Sequence, residues 1–169
     1  MIFGNKVLLR PPCDGDVAFL YALRNNFDLQ FALLSRPKAN SMVKVTAWIE
    51  KRLSEENTLF FLLADKESNE ACGFIQLANI DLVSRSGSLG ICMGTDYIGA
   101  GYAEEALDLF ESYVKNTFNI RKVTLEVLSD NRRAIAFYLK SGYDEVGVWK
   151  QHVFQLGKFQ DVTLMEKFL

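Results

Sequence analysis

A β-like run, Ser88–Met93, leads into a glycine-rich turn, Gly99-Ala100-Gly101-Tyr102-Ala103, which opens directly into an amphipathic helix. A strand, a tight turn and a helix in succession place a helix N-terminus at the end of a strand. The first N–H groups of a helix lack intrahelical partners, and the macrodipole puts about half a positive charge there, so the turn attracts anions. Gly99 and Gly101 let the backbone turn tightly and approach a pyrophosphate with no Cβ in the way. Ala103 is small enough to permit the same close approach. Beyond it, Ala103, Ala106, Leu107, Phe110, Tyr113, Val114 and Thr117 recur at three- and four-residue spacing, while Glu104, Asp108, Glu111 and Lys115 lie mostly elsewhere. Other phosphate motifs fail: no Gly-Lys-Ser/Thr closes a P-loop, and the sixth position of a dinucleotide fingerprint begun at Gly99 is Glu104. In isolation, the turn reads better as a strand-to-helix connection that uses glycine for geometry alone, and a motif downstream reverses that reading.

The chain suits one domain, residues 1–169, with a sizeable core. Hydrophobic residues make up 49% and charged residues 24%, within globular composition. A net charge of −2 leaves no basic excess for general nucleic-acid binding, although a local basic patch around a small ligand is compatible with it. The opening MIFGNKVLLRPP is too short and interrupted to read as a signal peptide or membrane span. Cys13, Cys72 and Cys92 are odd in number and widely spaced, which fits a reducing compartment, the cytoplasm, with neither disulfides nor a metal site.

Periodicity and turn signals predict a mixed α/β order. Strands are expected at Lys6–Arg10, Leu59–Ala64, Cys72–Ile80, Ser88–Met93, Lys122–Leu128, Val146–Phe154 and Gln160–Glu166. Helices are expected at Asp16–Asn26, Ser41–Glu55, after the glycine turn, and from Asn131 to the C′ glycine Gly142. The stretch between the first two helices reads as a connection through Pro37. An antiparallel meander thus leads into a strand–helix–strand crossover.

The segment NRRAIAFYLKSGY, residues 131–143, alone reads as an Asn-capped amphipathic helix with Tyr138 among its core aromatics. Paired with the glycine turn upstream, it resembles the acyl-coenzyme A site of the GNAT N-acetyltransferase superfamily. Asn131, Ala134, Phe137, Tyr138, Gly142 and Tyr143 match the motif N-x-x-A-x-x-[FL]-Y-x-x-x-G-[FY] at every fixed position. The resemblance implies a GNAT-like fold: a twisted, mostly antiparallel sheet of about seven strands flanked by about four helices. It also implies acetyl-CoA as co-substrate. The strand Ile91, Cys92 and Met93 would pair with the pantetheine arm. Backbone N–H groups of Gly99, Ala100, Gly101, Tyr102, Ala103 and Glu104 would hold the pyrophosphate, and Asn131 would contact the cofactor. Ile98 stands where the family often has Gln or Arg, which removes one side-chain contact but leaves the backbone donors.

Acetyl transfer to an amine needs a neutral amine, a stabilised carbonyl oxygen and a proton for the departing thiolate. The resemblance assigns the acid to Tyr138. Alternation in Val123–Leu128 puts Glu126 on one face with Thr124 and Leu128, and a carboxylate amid so apolar a strand is unusual. Leu125-Glu126-Val127 resembles the L-E-V of ribosomal-protein N-terminal acetyltransferases, whose glutamate is assigned as base. A solvated strand residue or an ion pair explains Glu126 equally well from the residues alone. A glutamate often found two residues before Gly90 is Ser88 here, which moves the base to Glu126. His152, the only histidine, is a formal rival because imidazole titrates near neutrality. Cys92 as an acetyl-accepting nucleophile has no nearby histidine in sequence and reads better as a small buried hydrophobe.

The opening Val7–Pro11, the start at Asp14 and Asp16, Leu23–Asn25 and the ending Leu156–Val162 extend the likeness to enzymes acting on ribosomal-protein N-termini and spermidine. The implied acceptor would enter between the two early helices and the last hairpin, with Arg24, Asn25, Gln76 and His152 lining its path. The expected acceptor is a primary amine: first a peptide N-terminus, otherwise a polyamine, an amino sugar or an amine antibiotic. A polycation would want several carboxylates, and the expected lining offers few beyond Glu126 and Asp28. No nucleic-acid or membrane partner is expected, and a homodimer through the late strands is compatible with the pattern. The reading from another class is a non-catalytic acyl-CoA-binding or sensing domain.

Overall fold

The computed structural model describes residues 1–169. In chain order the elements are β1 (Ile2–Phe3), β2 (Val7–Arg10), α1 (Val17–Asn25), α2 (Phe27–Ala32), α3 (Met42–Ser54), β3 (Leu59–Asp65), β4 (Ala71–Asp81), β5 (Ser86–Met93), α4 (Tyr102–Phe118), β6 (Lys122–Leu128), α5 (Arg132–Lys140), β7 (Asp144–Gln155) and β8 (Lys158–Phe168). The strands form one eight-stranded sheet, ordered β1-β2-β3-β4-β5-β6-β8-β7. Every neighbouring pair is antiparallel except β5 and β6.

All seven expected strands are present. The eighth, β1, is a two-residue piece that pairs Ile2 with Leu9 and Phe3 with Leu8, too short to carry an alternation of its own. A fifth helix, α2, occupies part of the stretch read as a connection. It is six residues long, and the Asn26 side chain caps it by accepting the Leu29 N–H at 3.2 Å. Three- and four-residue spacing cannot declare itself over so short a segment.

Two layers of side chains sandwich the sheet. On one face, Val7, Leu9, Leu63, Ile75, Leu77, Leu125 and Val127 pack with Leu107, Phe110 and Val114 of α4 and Ile135 and Tyr138 of α5. On the other, Phe60 and Leu62 of β3, Phe74 of β4 and Cys92 of β5 pack with Leu20 and Leu23 of α1 and Val45 and Ile49 of α3. This second layer stops at β5. The same face of β6 stays open, and Glu126 is exposed there. No helix is long and apolar enough to cross a membrane.

A buried ion pair ties the end of β2 to the entry of α1. Arg10 donates to both carboxylate oxygens of Asp16, at 2.7 and 2.9 Å, with both side chains under a tenth exposed. Burial opposes ionisation of Asp16, but Arg10 and the Cys13 N–H, 2.7 Å from Oδ2, outweigh it and hold the carboxyl below the usual range. The folded carboxyl therefore binds its proton less readily than the unfolded one. Its contribution is present above the unfolded pKa of about 4 and is lost as pH falls through the lower folded value. Asp16→Asn should destabilise the protein by about 3 kcal/mol at pH 7, because Arg10 is left buried without its counter-charge. Denaturant titrations should show the gap to the parent closing below about pH 4. A gap that persists unchanged in acid would mean that packing, not charge, holds this corner.

Candidate active site

β5 and β6 run parallel and pair at Ser86–Lys122, Gly87–Val123 and Ser88–Thr124, and there the pairing stops. β5 continues alongside β4 as far as Met93, opposite Gly73, and β6 continues alongside β8 as far as Leu128, opposite Val162. Each strand keeps its outer neighbour, so the sheet forks. The facing edges of Leu89–Met93 and Leu125–Leu128 have no ladder partner, and backbone N–H and C=O groups seek one. An extended chain bearing amides fits such a slot as a surrogate strand. Ile91, Cys92 and Met93 lie on its β5 side.

The glycine turn sits where β5 leads on. After a 3-10 turn at Thr95–Tyr97 and Ile98, Gly99 and Gly101 take φ of +84° and +86°, the left-handed region, and α4 begins at Tyr102. Two anchors fix this N-terminus. The Tyr102 hydroxyl donates to the Asp65 carboxylate at the end of β3, which pushes the phenol up to about 12. Asp65, which also accepts the Ser68 N–H, is held down at about 2. The Glu105 carboxylate accepts the backbone N–H groups of Asn5, Lys6 and Val7, pinning the β1–β2 turn against α4. The N–H groups of Tyr102, Ala103 and Glu104 have no intrahelical partner. Two cations flank the turn: Lys6 Nζ donates to the Ala100 carbonyl at 3.2 Å, and Arg133 Nη2 lies 3.9 Å from where a Gly99 Cβ would stand. Sequence reasoning missed both as phosphate partners. Arg133 occupies a variable position of the motif, and Lys6 reaches the loop only through the fold. Left-handed glycines, free N–H donors and two cations fit a pyrophosphate.

α5 positions Tyr138. The Asn131 side chain caps the helix by accepting the Ala134 N–H at 3.1 Å, which occupies its oxygen and leaves its amide N–H groups as donors. At the other end, Gly142 takes φ +86°. The N–H groups of Gly142 and Tyr143 return to the carbonyls of Leu139 and Tyr138, each at 3.0 Å, which is a Schellman closure. Tyr138 is 8% exposed and packs edge-on against Phe137 and Tyr143. Burial, with a smaller effect of Cys92 on β5, pushes its phenol upward, so it is a protonated donor at neutral pH. Glu126 projects from the β6 arm of the fork on the open face and makes no ion pair. Cys92 is 5% exposed, and burial pushes its thiol up to about 12, leaving it neutral and unsuited to nucleophilic work.

The expected acceptor residues separate. Arg24 lines a cavity of about 180 Å³ that also involves Leu23, Arg36, Lys38, Phe74 and Cys92. Gln76 lies over Gly90 on β5, with its Oε1 buried and unpartnered. Asn25 is occupied instead: it donates to the carbonyls of Tyr21 and Asn40 and accepts the Asn40 N–H at 2.8 Å. His152 is exposed on a bulge of β7, stacked 4.4 Å from Trp149, and is not part of the cavity wall.

Gly101→Val should lower coenzyme A affinity at least about tenfold by calorimetry and destabilise by about 1–2 kcal/mol, since a β-branched residue resists φ +86°. Arg133→Ala, an exposed change, should weaken binding with no loss of stability. Unchanged affinity in both variants would remove the turn from the site.

Comparison with known proteins agrees with this geometry. The model of the family described as acetyltransferase (GNAT) domain matches residues 6–144. The spermidine N(1)-acetyltransferase of Vibrio cholerae is 25% identical over 162 residues, covering 96% of this chain and 92% of that protein. The spermidine N(1)-acetyltransferase of Escherichia coli K12 is also 25% identical, over 96% of this chain and 86% of its own length. Among solved structures, the V. cholerae spermidine N-acetyltransferase in complex with CoA and spermine superposes with a TM-score of 0.90 at 24% identity, covering 98% of this chain and 96% of that one. With a family match across most of its length, and with the fork, the anion-binding turn and the buried tyrosine in place, this chain belongs to the GNAT acetyltransferase family.

Proposed function

We propose that this acetyl-CoA-dependent N-acetyltransferase acts by direct transfer to the primary amine of a small acceptor, with Glu126 as base and Tyr138 as acid. The carrying observation is the fork. A buried, protonated phenol stands on α5, the helix that follows its β6 arm, and a free carboxylate stands on the β6 arm itself. Similarity to the two spermidine enzymes supports a polyamine acceptor ahead of the peptide N-terminus suggested by Leu125-Glu126-Val127. The unpaired cysteines support the cytoplasm as its compartment.

When bound, acetyl-CoA supplies the acetyl group as a thioester. Unpaired backbone groups of Ile91–Met93 would align the pantetheine arm. The N–H groups at Gly99–Glu104, with Lys6 and Arg133, would hold the pyrophosphate, and the Asn131 amide N–H groups remain free to donate. An acceptor amine with a pKa near 10 is mostly protonated at pH 7. The Glu126 carboxylate takes that proton, directly or through water, and frees the lone pair for attack on the carbonyl carbon. As the carbon–sulfur bond breaks, Tyr138 Oη would give its proton to the leaving sulfur. The attacking nitrogen would shed its second proton to solvent, from which Tyr138 regains one, and Glu126 would release its own proton to solvent.

Thiol release from acetyl-CoA should depend on added amine. Tyr138→Phe should lower kcat by about a hundredfold or more, with the KM for acetyl-CoA within about threefold. Glu126→Gln should lower kcat/KM for the amine by a similar factor at pH 7, and the deficit should shrink towards pH 10, where the amine loses its proton unaided. Full turnover in Tyr138→Phe would end the acid assignment. Acetyl-CoA binding with no amine-dependent release would favour a sensing domain.

A further inference from the structure

The cavity beside Cys92 is cationic. It lies between α1, the segment after α2, and the sheet face that carries Phe74 and Cys92. Cys92 belongs to the forked part of β5, so the inner wall adjoins the fork. Its charged lining residues are Arg24, Arg36 and Lys38, with no aspartate or glutamate. At about 180 Å³ it is smaller than the roughly 300–1,000 Å³ of pockets that enclose drug-sized ligands.

Arg24 is the telling residue. Its guanidinium stacks on Trp48 at 4.2 Å, its Nε is buried without a partner, and its side chain makes no hydrogen bond or ion pair within the chain. Glu55, the carboxylate beside Arg52, is already held by Arg52 at 2.9 Å and Lys51 at 3.6 Å. Burial first, and repulsion from Arg52 second, weaken the hold of Arg24 on its proton. A half-buried cation beside a second cation, without a counter-charge, calls for an anion.

The frame around these cations is built. Buried Gln30 donates to the carbonyls of Arg24 (2.8 Å) and Lys38 (3.2 Å) and accepts the Lys38 N–H at 3.1 Å. Buried Asn40 donates to the same two carbonyls, each at 2.9 Å. On the same sheet face, two residues along β4 from Phe74, the unpartnered Oε1 of Gln76 offers an acceptor for an amine N–H.

We infer that the acceptor is a small primary amine carrying an anionic group, a carboxylate or a phosphate, which Arg24, Arg36 and Lys38 bind in this cavity. The inference rests on the direct-transfer reading above and departs from the polyamine that similarity to the spermidine enzymes supports. A polyamine would set further ammonium groups against three cations with no lining carboxylate to receive them.

Matched amines test it with the full-length protein: 4-aminobutyrate against 1,4-diaminobutane, and glucosamine 6-phosphate against glucosamine, with spermidine alongside. Within a pair, the anionic member should show kcat/KM at least about tenfold higher; which pair responds distinguishes carboxylate from phosphate. Arg24→Met, which keeps a long side chain on Trp48, should reduce that preference at least about tenfold. The exposed double change Arg36→Ser with Lys38→Ser should reduce it without risk to folding. Calorimetry of the same amines on protein saturated with CoA supplies a readout that does not need turnover. Higher kcat/KM for spermidine or the uncharged and cationic members, or a preference untouched by both variants, would overturn the inference. Thiol release absent with every amine, while anion binding still depends on Arg24, would instead overturn direct transfer and uphold the cavity assignment.

Discussion

β5 and β6 are the one parallel pair in an otherwise antiparallel sheet, and they stay together for three residue pairs before diverging. A helix must connect parallel neighbours, so α4 has to start near the end of β5. The same topology that opens the sheet therefore aims a helix N-terminus close to the opening. Each strand is held by its outer partner, β4 or β8, and the slot stays open at no cost to either ladder. Backbone groups lining a slot and backbone groups capping a helix are both donors and acceptors in search of partners, and one extended amide- and phosphate-bearing molecule satisfies both.

The chemistry around this opening divides by burial. Tyr138 is enclosed by the core of α4 and α5, which keeps its phenol protonated, whereas Glu126 stands where the second helix layer ends. The proposed acid and base thus differ in environment as well as in residue type. In the proposed recognition the acceptor side is decided by a third environment, a small cavity where buried amides of Gln30 and Asn40 hold the backbone of Arg24 and Lys38. The GNAT family match carries the acetyl donor to this chain, and the structural likeness carries the fold. The proposed recognition of the acceptor lies with side chains on α1 and the segment after α2.

Much of this was legible in the sequence because it is local. Gly99 and Gly101 announce left-handed backbone, Asn131 and Gly142 bound α5, and alternation along Val123–Leu128 puts Glu126 opposite the buried residues. What escaped depends on distance along the chain or on short elements. The Lys6 contact with Ala100 bridges 94 residues, and no local pattern contains it. β1 and α2 are too brief to show a period. The family resemblance put Asn25 on the acceptor path, but its amide is spent on Tyr21 and Asn40. His152 lies on a bulge, and a bulge resets the facing of every residue after it.

The account stands on the fork being the place where the acyl donor binds. Amide hydrogen exchange, with and without acetyl-CoA, reads this directly. Binding should slow exchange across Leu89–Met93 and the 99–104 turn, because both gain partners for free N–H groups. Slowing confined to other segments, with these two unchanged at saturating acetyl-CoA, would contradict the account.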